Sequence, residues 1–259
     1  MGLNFTWDGT SVLTKGFTTH YADRELPEED RGIIETQRDG GIEVSKRYPP
    51  RIIPVEGRLE GSSYANLKGT IVPAFYSFLQ TDSDVQLIFS DETDRYFNAQ
   101  FKKMRTVKSE SIFRILEIDF ICADPFSYNT TADTDTQTGV VANDTTFTVT
   151  NSGHYYAFPT ITITFNQAQT HIYLQNNTIT DNRFDISKTF AEDDELEINC
   201  KDRTVKLNGT SSPAGIGDGG ESLAEFILLA VGANQLQIGT DDADIDVDCD
   251  TSFEKVYLS

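Results

Sequence analysis

The feature that most constrains the fold is a long alternation of apolar and polar residues that stops at a proline. The apolar residues recur at every second position, at Leu116, Ile118, Phe120 and Cys122. This spacing places them on one face of an extended strand. Asp124-Pro125 follows, and proline cannot donate a hydrogen bond to a neighbouring strand. We therefore expect a half-buried strand that ends just before residue 124.

The rest of the first half predicts further strands and one helix. Strands are expected at Phe5–Trp7, Phe17–Tyr21, Arg51–Gly61 with alternation from Ile53 on, Val85–Phe89 and Arg95–Phe101. Apolar residues at three- and four-residue spacing predict a helix over Ser63–Leu79, with Pro73 at a break or in a first turn. The charged stretch Glu25–Asp39, followed by Gly40-Gly41, predicts a hairpin or arm. The fold class expected here is a mainly β, α+β sheet or small barrel.

The second half begins with a polar boundary and continues as short strands. Residues 127–139 are almost entirely Ser, Thr, Asn, Asp and Gln, which is typical of a linker. Strands are then expected at Phe147–Thr150, Thr160–Phe165, His171–Leu174, Leu196–Asn199, Thr204–Leu207, Glu225–Val231, Gln235–Ile238 and Ile245–Cys249. Short strands separated by turn residues predict an all-β sandwich. The expected organisation is a first domain at 1–128, a linker at 129–145 and a second domain at 146–259.

The net charge of −20 is unevenly distributed between the halves. Residues 1–125 carry 15 basic and 20 acidic side chains, whereas residues 126–259 carry 6 and 21. The second half therefore repels phosphate backbones, which argues against binding of nucleic acid. We expect no signal peptide, and the longest apolar run, Phe226–Val231, is far too short to span a membrane.

No motif predicts catalysis, a cofactor or a bound metal. Cys122, Cys200 and Cys249 are widely spaced, so buried free thiols are expected. The three histidines, His20, His154 and His171, lack the pairing of a metal site or a triad. The glycine-rich stretch 215–220 lacks the Lys-Ser/Thr of a phosphate loop and is expected to be a flexible connection.

The aspartate-rich run Asp241–Asp250 is the sharpest local oddity. Aspartates at every second position would project from one face of a strand, and Ile245, Val247 and Cys249 from the other. Calcium favours clustered carboxylates, but same-face carboxylates on a strand are spaced about 6.6 Å apart. We therefore interpret the run as a solvated acidic face rather than a cation site.

Several short motifs, in order along the chain, carry a resemblance to a known family. They are the strand ending Phe120–Phe126, Asn151-Ser152-Gly153 with Pro159 and Ile161–Phe165, the turn Leu207-Asn208-Gly209, and Gly232-Ala233-Asn234 with Leu236 and Ile238. Together they resemble the distal tail proteins of siphophages that infect Gram-positive bacteria. One departure is Val231, where the family usually has proline.

The resemblance implies a structural virion protein of the tail tip, assembled in the cytoplasm of the host bacterium. The first domain would form a hexameric ring, singly or as two stacked rings, that connects the tail tube to the host-adsorption apparatus. The second would be a galectin-like sandwich outside the ring. The implied partners are other copies of the chain, the tail tube protein, a tail-associated or tail-fibre hub protein and receptor-binding proteins.

Two other functions remain open from the residues. A β-sandwich adhesin or lectin would need an aromatic platform, for which Tyr155, Tyr156 and Tyr173 are candidates because the only tryptophan, Trp7, lies in the other domain. A carbohydrate-active enzyme would need two facing carboxylates, and no pair is singled out by its surroundings. No catalytic, cofactor-binding or metal-binding residue is therefore assigned.

Overall fold

The computed structural model describes residues 3–27, 29–35, 41–211, 225–242 and 244–258. The chain forms two compact units. The N-terminal unit comprises Met1–Thr130 with Tyr257–Ser259, and the C-terminal unit comprises Thr131–Val256. Both are built mainly from antiparallel strands, as the alternation predicts. No helix in these ranges is long and apolar enough to cross a membrane.

The N-terminal unit contains ten strands and one helical segment. The strands are β1 (Phe5–Trp7), β2 (Thr10–Ser11), β3 (Phe17–Ala22), β4 (Asp30–Glu35), β5 (Gly41–Arg47), β6 (Arg51–Glu60), β7 (Val85–Phe89), β8 (Arg95–Ser109), β9 (Phe113–Cys122) and β10 (Ser127–Asn129). A 3₁₀ turn spans Val12–Lys15. The main sheet has the strand order β2-β1-β7-β8-β9-β6-β3. Strands β4 and β5 pair only with each other among the described strands, which agrees with the predicted hairpin.

The helical segment agrees with the predicted helix and accommodates its proline through a wide turn. Helix α1 (Tyr64–Asn66) begins at Ser63, whose side chain accepts a hydrogen bond from the Asn66 N–H. A π turn over Leu67–Ile71 joins it to α2 (Val72–Leu79), and the Val72 N–H donates to the Leu67 carbonyl. The wider turn immediately before Pro73 relieves the clash that a proline ring makes in a regular helix.

The core of the N-terminal unit is aromatic and lies between the sheet and the helical segment. The Phe17 and Phe75 rings stack at 4.9 Å between centroids, and Phe120 packs against Trp7 at 4.7 Å. The predicted inward face of β9 is correct, since Leu116, Ile118, Phe120 and Cys122 are all buried. Gly57 is required on β6 because a Cβ there would lie 2.3 Å from the Phe17 ring.

The C-terminal unit is a pair of packed sheets. Its strands are β11 (Asp133–Val140), β12 (Thr145–Asn151), β13 (Thr160–Phe165), β14 (Gln169–Asn176), β15 (Arg183–Phe190), β16 (Glu195–Asn199), β17 (Thr204–Leu207), β18 (Thr210–Ser211), β19 (Gly232–Gly239) and β20 (Val247–Phe253), and β21 (Val256–Tyr257) follows. The sheet orders are β11-β20-β13-β16-β17-β18 and β12-β19-β14-β15. Phe165 of the first sheet stacks on Phe190 of the second at 4.2 Å, so the expected sandwich is present.

Three predicted features of the second half differ in the structure. Asp133–Val140, inside the expected linker at 129–145, is an edge strand because it pairs with β20. Glu225–Val231 is not a strand, since only Leu229 forms a bridge, with Ala157. The expected strand at Ile245–Cys249 begins only at Val247. The glycine-rich stretch 215–220 lies outside the described residues.

Candidate functional site

The three histidines lie in different surroundings. His20 is exposed on β3, and His154 is exposed in the loop after β12. His171, on β14, is buried beside two carboxylates, with Nε2 at 3.4 Å from Asp185 and Nδ1 at 3.4 Å from Asp241. Among the described residues, no three His, Cys, Asp or Glu side chains come together in a metal-binding arrangement.

The polar side chains around His171 are engaged with one another. Arg183 binds Asp185 through two hydrogen bonds of 2.8 Å. Burial raises the pKa of Asp185, but the hydrogen bond and charge of Arg183 outweigh it and hold that pKa below its usual value. Arg183 also lies over the Tyr173 ring at 3.9 Å, and the Tyr173 hydroxyl donates to Asp144. The cluster therefore stiffens the outer face of β14 and β15.

The aromatic residues considered for a glycan platform separate into buried and exposed groups. Trp7 is fully buried in the N-terminal unit, and Tyr173 is covered by Arg183. Tyr155 packs edge-on against Tyr156 at 5.5 Å between centroids. Tyr156 and Phe158 are exposed. Phe158 has no counterpart in the sequence-based prediction, although its position two residues after Tyr156 in an extended segment is a signal that could have revealed it.

The acidic run differs from the expected solvated face. Ile245, Val247 and Cys249 are buried as predicted. However, Asp246 accepts a hydrogen bond from the Asn166 amide at 3.0 Å, and Asp248 accepts one from the Gly139 backbone N–H at 2.6 Å. Two of the alternating aspartates thus bind strand β11 and the residue that follows β13, whereas Asp250 is exposed.

The three cysteines are buried free thiols, as predicted. Burial raises the pKa of Cys122, Cys200 and Cys249 to about 12 in each case. A thiol whose anion is this unfavourable is a poor nucleophile near neutral pH. These residues therefore act as packing groups.

Four buried asparagines form a side-chain network, here called the asparagine cluster: Asn151, Asn176, Asn182 and Asn234. Asn182 donates to the Phe226 carbonyl and accepts from the Leu228 N–H, both at 3.0 Å. Asn176 donates to the Leu228 carbonyl at 2.7 Å. The cluster explains why residues 226–230 are extended without being a strand, because asparagine amides replace the partners of a ladder.

The other two members of the cluster hold the end of this segment. Asn151 donates to the Leu229 carbonyl at 3.1 Å and to the Tyr155 carbonyl at 2.9 Å. Asn234 accepts from the Ala230 N–H and donates to the Ala230 carbonyl, both at 2.8 Å. The Leu229 carbonyl also accepts from the Ala157 N–H at 3.0 Å, whereas the Ala230 groups have no strand partner among the described residues. Asn234 therefore supplies hydrogen bonds that the Ala230 backbone would otherwise lack.

Two glycines, each two residues from a member of the asparagine cluster, are also required by the local backbone. A Cβ on Gly153 would lie 2.7 Å from the Val256 carbonyl oxygen, and Gly232 has a φ of 98°. Larger residues are therefore excluded at the first position and strained at the second. Asn151, Gly153, Gly232 and Asn234 are the residues of two of the short motifs described above, which gives those motifs a physical role.

The N-terminal unit presents sheet edges. The pairing of strand β8 with β7 covers Phe97 to Ala99 and stops there. From Gln100 onward β8 pairs with β9. No described strand pairs with the other side of Gln100–Ser109. At the opposite end of this part of the sheet, β6 is the one described strand that pairs with β3. Among the described strands, the set β8-β9-β6-β3 thus ends in two unpaired edges.

The β4–β5 hairpin is anchored at its base. The Tyr48 ring packs edge-to-face on Phe126 at 5.4 Å, and its hydroxyl donates to Glu29 at 2.9 Å. Arg47 donates to Asp30 at 2.8 Å across the first residue pair. The hairpin therefore leaves the unit from a fixed position. Residues 28 and 36–40 of the predicted charged arm lie outside the described residues.

Comparisons with known proteins find similarity to siphophage tail proteins. Residues 152–257 match the family model described as a siphovirus-type tail component, C-terminal domain. The distal tail protein of Bacillus phage SPP1 is 26% identical over 215 residues, which cover 76% of this chain and 83% of that protein.

Two solved structures show the same fold. The crystal structure of the SPP1 Dit protein superimposes with a TM-score of 0.81 at 18% identity, over 99% of each chain. A chain of the phage P2 baseplate, in its activated conformation with Ca, gives a TM-score of 0.50 at 10% identity over 98% of each chain. The matched C-terminal domain model, the curated relative and the shared fold all agree with the resemblance of this chain to siphophage distal tail proteins.

Proposed function

We propose that six copies of this chain form a ring that connects the tail tube to the host-adsorption apparatus, without a catalytic role. The observation that carries this proposal is the pair of unpaired edges on the four strands β8-β9-β6-β3. Exposed strand edges are a liability in a monomer. A closed ring removes both edges, because a heterologous contact joins one end of each subunit to the other end of the next.

The two edges differ in charge in a way that suits such a contact. The β8 edge carries Lys102, Lys103, Arg105 and Lys108 and no acidic residue between Gln100 and Ser109. Lys103, Arg105 and Lys108 are neutralised by Asp119, Glu117 and Glu110, at 3.0, 2.6 and 3.2 Å, which leaves the charge of Lys102 on this edge. The β3 edge continues into Asp23 and Glu25, and Arg24 between them is paired with Asp91 and Glu92. Opposite charges at the two ends favour head-to-tail docking over like-to-like docking.

The edges also carry exposed apolar side chains. Val107 is 53% exposed at a bulge of β8, and Tyr21 is 57% exposed on β3. Such residues bury area at low cost when a neighbouring strand docks beside them. The β4–β5 hairpin, whose own edges are unpaired among the described strands, provides a further contact with an adjacent copy or with the tail tube protein.

The C-terminal unit is proposed to lie outside the ring and to meet the remaining partners, a tail-associated hub protein and receptor-binding proteins. Residues 126–259 carry 21 acidic and 6 basic side chains. Like charges on neighbouring copies repel, which favours an outward, separated position. A sandwich that closes its own core needs no partner in order to fold.

The edge contact is tested with two single variants. Val107→Asp places a carboxylate on the β8 edge, and Tyr21→Asp places one on the β3 edge. Each alone should reduce the native mass, measured by mass photometry, from the ring to the single chain. Val141→Asp is the matched control, since Val141 is an exposed valine (68%) in the C-terminal unit, and its ring should persist.

A mixture of the two variants tests directly whether the β8 edge contacts the β3 edge. Each Val107→Asp subunit keeps an intact β3 edge, and each Tyr21→Asp subunit keeps an intact β8 edge. One intact interface forms per pair, so the mixture should show about twice the 28.9-kDa chain mass and no ring. A ring that survives in either single variant, or a mixture that stays monomeric, contradicts the edge contact.

A glycan-binding adhesin remains the second candidate, supported by the exposed Tyr156 and Phe158. Sugar rings stack on exposed aromatic faces. A glycan array of host cell-wall polysaccharides, probed with the full chain and with Tyr156→Ala and Phe158→Ala, tests this function. Binding that is lost in both variants would establish it, and absence of binding by the unaltered protein would remove it.

A further inference from the structure

A small cavity of about 340 Å³ lies beside the start of the acidic run, where β14 begins. Its lining includes Gln169, Thr170, Thr189, Asp242 and Asp244. The side chains that these five residues contribute carry oxygen atoms and no basic group. Cavities lined by carboxylate, amide and hydroxyl oxygens suit hard divalent cations.

Gln169 has a buried oxygen without a hydrogen bond. The residue is only 2% exposed, and its Nε2 donates to the Asp244 backbone carbonyl at 3.0 Å. This bond fixes which end of the amide is the oxygen. The Oε1 atom has no hydrogen-bond partner in the described part of the chain. A buried acceptor left in this state is costly and indicates a missing partner.

The two aspartates of the cavity differ in what they already bind. Asp242 accepts from both the Thr170 N–H and the Thr170 hydroxyl, each at 2.6 Å, and these bonds fix its carboxylate. The Asp244 carboxylate accepts no hydrogen bond from the described residues, while its backbone oxygen is held by Gln169. Asp244, whose carboxylate has no donor among the described residues, and Gln169, whose amide oxygen has none, thus line the same cavity.

The wide spacing of same-face carboxylates argues against a cation site only where the acidic run is a strand. Strand β20 begins at Val247, so same-face separation governs Asp248 and Asp250. Asp242 and Asp244 precede the strand, in a loop. A loop can direct neighbouring carboxylates toward one ion, which a strand cannot do unaided.

We propose that this cavity binds one calcium ion per chain through Gln169 Oε1 and the carboxylates of Asp244 and Asp242. The Thr189 hydroxyl, backbone carbonyls and waters complete the six to eight oxygen ligands that calcium takes. Magnesium fits less well, because it demands near-ideal octahedral geometry and loses its waters reluctantly. Two carboxylates place the site in the weak class, with dissociation constants of about 0.1 to 1 mM.

The test is thermal unfolding of the full chain after EDTA treatment and dialysis. Calcium chloride should raise the midpoint of the C-terminal unit by about 4 °C and saturate in the low millimolar range, because a ligand that binds only the folded state stabilises it. Sodium chloride at matched ionic strength controls for screening of the acidic surface, and magnesium chloride should act more weakly. Isothermal titration should give one site per chain.

Two variants separate coordination from folding. Asp244→Asn should keep the midpoint measured in EDTA within about 1 °C, because the carboxylate has no donor to lose, and should remove the calcium-dependent rise. Asp250→Asn, which removes the same charge from the exposed end of the run, should keep the rise. A calcium effect no larger than that of sodium, or one that persists in Asp244→Asn, would overturn the site and leave a cavity that holds water.

Discussion

Asn176 donates to Oδ1 of Asn234 at 3.0 Å, in the fully buried interior of the C-terminal unit. Each of these two side chains also binds backbone atoms of the segment 228–232. The pair therefore links strands β14 and β19 to an extended segment that has no ladder of its own. Polar networks of this kind are stabilising only when every member is satisfied.

Replacing Asn234 by alanine should lower the free energy of unfolding of the C-terminal unit by about 3 kcal/mol, because the Ala230 N–H and carbonyl lose their partners in a buried site. Urea unfolding followed by far-UV circular dichroism measures this change. The fluorescence of Trp7, the single tryptophan, reports the N-terminal unit and should give an unchanged transition.

Asn177→Ala is the matched control. Asn177 is exposed and its amide binds only the Gln237 side chain among the described side chains, at 2.8 Å. The variant should change stability by less than about 0.5 kcal/mol. Equal effects of the two substitutions would show that the buried cluster has no special role.

The Asn208-Gly209 turn gives a second prediction. Both residues have positive φ, 51° and 73°, and the turn closes a two-residue hairpin between Leu207 and Thr210. This is the type I′ geometry that the dipeptide predicts. Gly209→Ala should destabilise the C-terminal unit by about 1 kcal/mol through backbone strain alone, since no atom lies within 4 Å of the added Cβ. Chemical unfolding measures the change.

Gly69→Ala should change the stability in the opposite direction from Gly209→Ala. Gly69 also has open space around its Cβ position, but it lies in the helical segment without a positive φ. The alanine should be neutral or stabilising by up to about 1 kcal/mol. Destabilisation of similar size in both variants would refute the explanation from φ.

The buried thiols predict slow chemical labelling with a defined pH dependence. Burial raises the pKa of each of the three thiols to about 12, so the folded state favours the protonated form. A raised pKa of an acid stabilises the fold below the unfolded value, near 8.5, and that contribution is lost as the pH rises toward 12. Ellman's reagent at pH 8 should label no thiol in the native protein and three in denaturant. Rapid labelling of a native thiol would contradict the burial.

The two units should fold separately. A fragment of residues 131–256 should be a folded monomer, and a fragment of residues 1–130 should still associate, because the unpaired edges of β3 and β8 lie within it. Light scattering with circular dichroism measures both properties. A ring formed by the C-terminal fragment alone would reverse the proposed roles.

A shorter fragment that begins at residue 140 tests the place of β11. That fragment lacks the strand that covers the edge of β20. It should be less stable than the fragment 131–256 and more prone to aggregation, because β20 then becomes an exposed edge. Equal stability of the two fragments would indicate that residues 131–139 act as a linker after all.

Strong local patterns could be predicted from the sequence. Thr160–Phe165 and Thr204–Leu207 are strands with the predicted bounds, because β-branched alternation between turn residues agrees with their final environment. Strand β15 carries the same alternation at Phe184 and Ile186 but was not predicted. Strand β11 has almost no apolar residues, and it forms only because β20 offers a partner, which is information outside its own sequence.

The asparagine cluster could not be predicted for a different reason. Its four members come from three separate parts of the sequence, and asparagine is typical of exposed turns. Only the fold brings them to one segment, 226–230. The false strand prediction at Glu225–Val231 has the same origin, since an apolar run shows that a segment is buried but not which groups satisfy its backbone.

The native mass of the full chain tests the central proposal most directly. Mass photometry at nanomolar to micromolar concentration should show a species of six times the 28.9-kDa chain mass, or of twelve times if two rings stack. Heterologous edge contacts close only at a defined copy number, so intermediate masses should be rare. A protein that stays at the single-chain mass at micromolar concentration, with and without the tail tube protein, would contradict the ring.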